Sequence, residues 1–182
     1  MILLIMLCLF LIVNSEYKAV SELDLDKYIG EWYEVYGNNF DKTFQGNGRC
    51  IKAFYKLNEN QDSNDKNISV FNSQIDKKNK LDTISGFAYY KDGDTGGYLT
   101  VQLEDLPEAP YWVIELGPVV NDFYDYSIVS DNLMLSLFVL TRNVTRFYYD
   151  YNEYVLESLE NFGFNAFLNK PYKINQECEL YS

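Results

Sequence analysis

Hydrophobic and polar residues alternate along most of the chain with the two-residue period of β-strands. Runs rich in Val, Ile, Tyr, Phe and Thr recur from residue 30 onwards, and polar residues, Gly or Pro bound each run, which is typical of half-buried strands. We predict eight strands, at residues 30–37, 50–57, 67–75, 81–91, 97–104, 110–117, 123–130 and 134–142. Most connections are short, and short connections place consecutive strands antiparallel.

The last third of the chain departs from the strand period. Apolar residues recur at three- and four-residue steps over residues 150–162, which predicts a helix with one buried face. Asp150 is its predicted N-terminal cap and Gly163 its predicted end. The strand at 134–142 is apolar on both faces, so we expect the helix to cover its outer face.

Together these elements predict an all-β fold, an eight-stranded antiparallel up-and-down β-barrel with a C-terminal α-helix packed on the outside. A closed barrel of eight strands leaves an interior that is either filled by side chains or holds one small ligand.

The first residues form a separate segment. Residues 1–15 carry no charged side chain, and the apolar run 2–13 is shorter than the roughly 20 residues of a membrane-spanning helix. We predict a signal peptide that is cleaved after Ser15 and leaves a single domain at 16–182. Cys8 lacks the small preceding residue of a lipid-anchored cysteine, so no lipid anchor is expected there.

The charge of the chain limits its partners. A formal net charge of −12 argues against nucleic acid and against anionic membrane surfaces, because both require clustered Lys and Arg. We therefore predict no nucleic-acid partner and no stable membrane insertion.

Processing would leave two cysteines, Cys50 and Cys178. Secreted chains usually pair such cysteines in a disulfide. Asn67 and Asn143 begin Asn-x-Ser/Thr sequons, which are predicted glycosylation sites in a secreted protein.

The chemistry available to the chain is narrow. It contains no histidine, which excludes Ser-His-Asp and Cys-His nucleophiles, His-ligated zinc and His-ligated haem. No phosphate-binding loop or paired-cysteine metal motif is present, so no cofactor and no metal are predicted. Carboxylate catalysis by Glu34 or Glu115 on a lipid-like substrate stays open as an alternative, as does a surface interaction module that uses the loops at the open end of the barrel.

Three short motifs resemble the signatures of the lipocalin family in order and spacing. They are Gly30-x-Trp32 in the first strand, Asp122 with Tyr126 where lipocalins carry Thr-Asp-Tyr-x-x-Tyr, and Arg142 at the end of the eighth strand. Asn and Phe replace the first and third members of the second motif. Longer runs look like the subgroup that contains apolipoprotein D and the bacterial outer-membrane lipocalins, and the similarity spans roughly residues 23–178.

The resemblance implies a secreted carrier that encloses a small hydrophobic ligand, such as a fatty acid, lysolipid, sterol, retinoid or pigment. It implies that Arg142 packs across Trp32 and closes one end of the barrel by a cation–π contact. It also implies the bridge between Cys50 and Cys178.

Four residues fall on positions that line the pocket in this subgroup, namely Trp112, Tyr55, Asn72 and Phe138. Alternation along 110–117 places Trp112 on an all-apolar face, which we predict to face the interior. The three aromatic residues would also suit a side-chain-filled core, whereas a buried amide at Asn72 must find a partner.

Glu34 shares the face of Trp32 and is also expected inside the barrel. Either a hydrogen bond to a ligand or tyrosine hydroxyl, or a structural tie at the barrel floor, fits this position.

Overall fold

A computed structural model describes residues 17–40, 48–58 and 67–178. The predicted signal peptide lies outside the described residues. The strands are β1 Gly30–Gly37, β2 Arg49–Asn58, β3 Asn67–Ile75, β4 Leu81–Tyr89, β5 Tyr98–Leu103, β6 Ala109–Leu116, β7 Val119–Val120, β8 Phe123–Tyr124, β9 Tyr126–Ser130, β10 Leu137–Thr141 and β11 Tyr172–Lys173. The helical segments are a single turn at Leu25–Tyr28 and the continuous series Val144–Arg146, Phe147–Tyr151 and Asn152–Phe162, which we call the C-terminal helix.

The predicted barrel is confirmed. The described strands form one sheet in the order β10-β9-β6-β5-β4-β3-β2-β1-β11, and β10 also pairs with β1, which closes the barrel. Every pairing is antiparallel. β11 pairs with the last two residues of β1, Tyr36 and Gly37. These residues follow a register shift between Glu34 and Tyr36 in the β1–β10 pairing.

The predicted seventh strand, at 123–130, is divided in two. Its first residues pair with β7 in a small hairpin outside the barrel sheet, and only β9 belongs to the barrel. Asn121 and Asp122 form the hairpin turn with φ values of +50° and +68°, the left-handed pair that a two-residue turn requires and that Asn and Asp tolerate.

The C-terminal helix begins at Val144, so the predicted cap at Asp150 is wrong. The side chain of Asn143 caps the helix by accepting a hydrogen bond from the backbone N–H of Arg146. Asp150 lies within a π-helical turn, inside the helical series and six residues beyond its first residue, Val144. Gly163, with φ of +97°, ends the helix as predicted.

Two cores lie on either side of the barrel wall. The inner core contains Trp32, Tyr55, Val70 and Val113 among others. The outer core lies between the barrel and the C-terminal helix and includes Val139 of β10. The prediction that the helix covers the outer face of this last strand is confirmed. Among the described residues, no helix has the length and apolar character needed to cross a membrane.

A disulfide joins Cys50 and Cys178, with the two Cα atoms 5.9 Å apart. The C-terminal segment is held to β2 in addition by the hydrogen bond from the Cys50 N–H to the Asn175 carbonyl, at 2.8 Å. The bridge closes a loop of 128 residues, and such a constraint stabilises a fold chiefly by restricting the unfolded chain.

Candidate ligand-binding site

One end of the barrel is closed around Arg142. Its guanidinium carbon lies 3.5 Å from the centroid of the Trp32 ring, and Trp32 is fully buried. The contact that the resemblance implies is therefore present in the structure. Gly30 makes room for it, because its φ is +97° and an added Cβ would lie 3.3 Å from Nη1 of Arg142.

Arg142 also binds the backbone of the segment that leads into β1. Its guanidinium donates hydrogen bonds to the carbonyls of Tyr28, Ile29 and Glu31 at 3.0, 2.7 and 2.6 Å. Burial lowers the pKa of Arg142 to about 10, so the side chain stays charged at neutral pH. Together with the helical turn Leu25–Tyr28, these contacts form a plug at the closed end.

Beyond the plug, the interior holds a cavity that opens at the opposite end of the barrel. Its wide outer part has a volume of about 630 Å³, and a narrower inner part of about 70 Å³ extends towards the plug. The wide part falls within the range of small-molecule sites, about 300–1,000 Å³. Side chains that line both parts are Ile51, Asn72, Val101, Leu103, Tyr111 and Phe138.

Three of the four predicted pocket residues lie on this cavity. Tyr55 lines the inner part, and Asn72 and Phe138 line both parts. The side-chain oxygen of Asn72 is buried and accepts no hydrogen bond from the part of the chain that the structure describes. Because a buried amide oxygen without a partner is costly, a ligand group that donates a hydrogen bond would be favoured beside it.

The prediction that Trp112 faces the interior is wrong. Its ring lies on the outer wall, 6.1 Å from that of Tyr17 and 4.8 Å from that of Tyr98. Strand β6 is buried on both faces, because the N-terminal segment and the C-terminal helix cover its outer face, and alternation alone cannot separate two apolar faces. Tyr111 takes the interior position instead.

A chain of hydroxyl groups lies at the inner end of the cavity. The Tyr111 hydroxyl is 2.8 Å from that of Tyr28 and 3.0 Å from that of Tyr55. Ser127 extends the chain, with its hydroxyl 3.1 Å from that of Tyr28. Four hydroxyls and three links leave one O–H proton that the chain itself does not use.

These tyrosines stay neutral at physiological pH. Burial raises the pKa of Tyr28 to about 12, and it also raises the pKa values of Tyr55 and Tyr111. Neither Tyr28 nor Tyr111 is identified by the sequence pattern. Tyr28 belongs to a helical turn of four residues, which is too short for a periodic signal.

The remaining predicted residues have structural or surface positions. Glu34 is buried and lines the inner part of the cavity. Tyr126 lies in the outer core, where its hydroxyl donates a hydrogen bond to Glu115 Oε1 at 2.8 Å. Glu34 and Glu115, the two carboxylates considered for catalysis, therefore lie on opposite sides of the barrel wall. Asp122 is exposed in the hairpin turn.

Both sequon asparagines are at least partly accessible. Asn143 is exposed and caps the C-terminal helix. Asn67 is partly buried at the start of β3, where it accepts a hydrogen bond from Asn58 Nδ2 at 2.8 Å. Glycosylation at these positions stays a prediction.

Comparisons with known proteins agree with the barrel fold. A sequence model of the lipocalin-like domain matches residues 23–168. The outer membrane lipoprotein Blc of Vibrio cholerae serotype O1 is 33% identical over 129 residues, which cover 70% of this chain and 70% of that protein.

Among solved structures, the chain is similar to apocrustacyanin C1, with a TM-score of 0.61 and 17% identity over 86% of this chain and 81% of the other. Lobster apocrustacyanin A1 gives a TM-score of 0.59 with 17% identity, over 84% and 79% of the two chains. At this level of identity, the likeness supports the fold.

Proposed function

The chain belongs to the lipocalin-like family, and from this premise we propose that it is a carrier that encloses one small hydrophobic molecule in the barrel cavity. The observation that carries the proposal is the cavity of about 630 Å³ at the open end of a barrel whose other end is plugged. Binding would be driven by burial, at roughly 25 cal/mol for each Å² of apolar ligand surface removed from water.

The lining supports a mostly apolar ligand that carries a polar group. Val101, Leu103 and Phe138 supply apolar surface to both parts of the cavity. Asn72 and the hydroxyl chain that ends at Tyr55 supply hydrogen-bonding groups near the inner end. Sterols, retinoids, lysolipids, fatty acids and pigments all combine these features.

The two cysteines and Glu115 favour a role without catalysis, and Glu34 is the candidate carboxylate that lines the cavity. Cys50 and Cys178 are bonded to each other, so neither offers a thiolate for covalent chemistry. Glu115 lies outside the barrel with its carboxylate bonded to Tyr126.

We also propose that the protein works outside the cytoplasm, in the cell envelope or the extracellular space. The predicted signal peptide and the disulfide support this location, because structural disulfides persist in oxidising compartments. The Vibrio relative is an outer membrane lipoprotein.

A fluorescence titration with the neutral hydrophobic probe N-phenyl-1-naphthylamine tests the carrier function. We expect saturable binding by the wild type and at least a tenfold loss in Val101→Trp, because a bulky ring at this position fills the cavity where its two parts meet. Trp112→Phe is the matched control, since it alters an aromatic side chain on the outer wall, and we expect it to bind as the wild type does. Absence of probe binding to the wild type, or unchanged binding by folded Val101→Trp, would contradict the proposal.

A further inference from the structure

Acidic side chains surround the open end of the cavity. Four carboxylates line the wide part among the described residues, those of Asp82, Glu104, Glu108 and Asp131. No Lys or Arg of the described chain lines this part. The described lining of the entrance is therefore acidic, and a ligand that enters the cavity must pass or contact these carboxylates.

Two of these carboxylates have their charge compensated locally. Glu108 forms an ion pair with Lys91, at 2.7 Å. Asp131 accepts hydrogen bonds from three backbone N–H groups and one hydroxyl of the turn that follows it. We therefore expect neither Glu108 nor Asp131 to be the main source of negative electrostatic potential at the entrance.

Asp82 and Glu104 are not compensated in this way. Asp82 accepts one hydrogen bond, from Gln74 Nε2 at 3.1 Å, and Glu104 accepts one, from the Ser85 N–H at 3.0 Å. Neither forms an ion pair with a described residue. Both bonds come from neutral donors, so no cation of the described residues pairs with either carboxylate at the entrance.

The inner part of the cavity does not supply a cation either. Lys52 is among its lining residues, but its ammonium pairs with Glu31 at 3.1 Å and lies 4.7 Å from the Tyr33 ring centroid, on the outer wall. The guanidinium of Arg142 is directed at backbone carbonyls in the plug. The buried carboxyl group of Glu34 lines the same inner part.

The polar groups at the inner end are suited to an uncharged partner. The buried oxygen of Asn72 is able to accept a hydrogen bond, and the hydroxyl groups of Tyr55 and Tyr111 that line the same inner part are able to donate or accept one. An alcohol both donates and accepts, whereas a carboxylate only accepts. A carboxylate placed here would also lose its hydration without gaining a facing cation.

We infer that the cavity selects an uncharged amphiphile with a hydroxyl group over the otherwise identical carboxylate. The inference rests on the proposed carrier function and narrows its ligand class, because it disfavours fatty acids and other anionic lipids. The residues that set this selectivity at the entrance are Asp82 and Glu104.

Competition experiments with matched pairs test the inference at neutral pH. Retinol and retinoic acid, and dodecanol and dodecanoate, are each titrated against bound N-phenyl-1-naphthylamine. We expect each alcohol to displace the probe with at least tenfold higher affinity than its acid, which corresponds to about 1.4 kcal/mol. Equal affinities within both pairs would overturn the selectivity and leave the carrier function intact, whereas failure of the probe to bind would overturn both.

A pair of double variants locates the selectivity. Asp82→Asn with Glu104→Gln removes both charges and keeps an oxygen to accept each existing hydrogen bond. We expect it to narrow the preference for the alcohol at least threefold by improving the affinity of the acid. Glu157→Gln with Glu160→Gln makes the same change in net charge on the exposed side of the C-terminal helix and should leave the preference unchanged. An unaltered preference in the first variant, or an equal change in both, would contradict the assignment.

Discussion

Removing the guanidinium of Arg142 should destabilise the fold strongly. In Arg142→Met the apolar stem is retained, while the cation above Trp32 is lost together with its hydrogen bonds to five backbone carbonyls, of which those to Tyr28, Ile29 and Glu31 are the shortest. Arg142→Lys retains a charge but replaces the planar fork by one ammonium, which cannot reach all three carbonyls with the same geometry.

The expected magnitude follows from these contacts. A cation–π contact contributes about 0.5–2 kcal/mol, and a buried acceptor left without a donor costs about 1–3 kcal/mol. The terms are not additive, and water can reach part of the site because Arg142 is half-buried. We therefore expect Arg142→Met to lose about 3–5 kcal/mol and Arg142→Lys about 1.5–3 kcal/mol, a large share of a stability of about 5–15 kcal/mol.

Urea unfolding of the oxidised protein measures this loss, followed in parallel by far-ultraviolet circular dichroism and tryptophan fluorescence. Lys173→Met is the control, because Lys173 lies 3.8 Å from the Tyr148 ring centroid but is exposed, so its loss should stay below about 1 kcal/mol. A loss of less than about 1 kcal/mol in Arg142→Met, or one no larger than in the control, would refute the plug as a stabilising element.

Three further predictions concern the disulfide, the first strand and the buried tyrosines. Replacing Cys50 and Cys178 by Ala should lower the free energy of unfolding by up to about 4–5 kcal/mol in urea titrations, and an unchanged midpoint would contradict this. Gly30→Ala should cost about 1–3 kcal/mol in the same assay, because its φ of +97° is strained for a residue with a Cβ; a neutral effect would exclude that conformation. The pKa of Tyr28 is raised to about 12 in the fold. The stabilisation that follows from this shift is therefore fully present at pH values below the ordinary tyrosine pKa of 10.0, and it is lost as the pH rises towards 12. Burial also raises the pKa values of other tyrosines, and together they should outweigh the opposite contribution of Arg142, whose pKa is lowered. Tyrosinate absorbance at 295 nm should accordingly be lower at pH 11 in the folded protein than in urea, and equal values would contradict the burial of the tyrosine hydroxyls.

The sequence predicts the barrel well because each strand carries a local signal. Alternation, β-branched residues and polar connections suffice to locate the strands. The motifs around Trp32 and Arg142 imply how one end closes through their resemblance to the lipocalin signatures, although they lie far apart in the chain. The same resemblance places Tyr55 and Asn72 on the pocket, and parity adds Ala53 and Val70 to the same interior faces.

The sequence fails where burial occurs on both sides of an element. Trp112 is covered by segments from the two ends of the chain, and a register shift between Val113 and Glu115 further disturbs the alternation in β6. The contribution of Tyr28 arises from tertiary packing of one helical turn against the barrel, which no local pattern encodes. The charge selectivity proposed at Asp82 likewise depends on which faces of several strands converge at the entrance.

The most direct test of the central claim, that the cavity encloses one hydrophobic molecule, is native mass spectrometry of the folded protein with equimolar retinol. We expect a single adduct per chain for the wild type and for Trp112→Phe, and none for Val101→Trp. An adduct that persists in folded Val101→Trp, or a wild type that stays unbound, would contradict the claim.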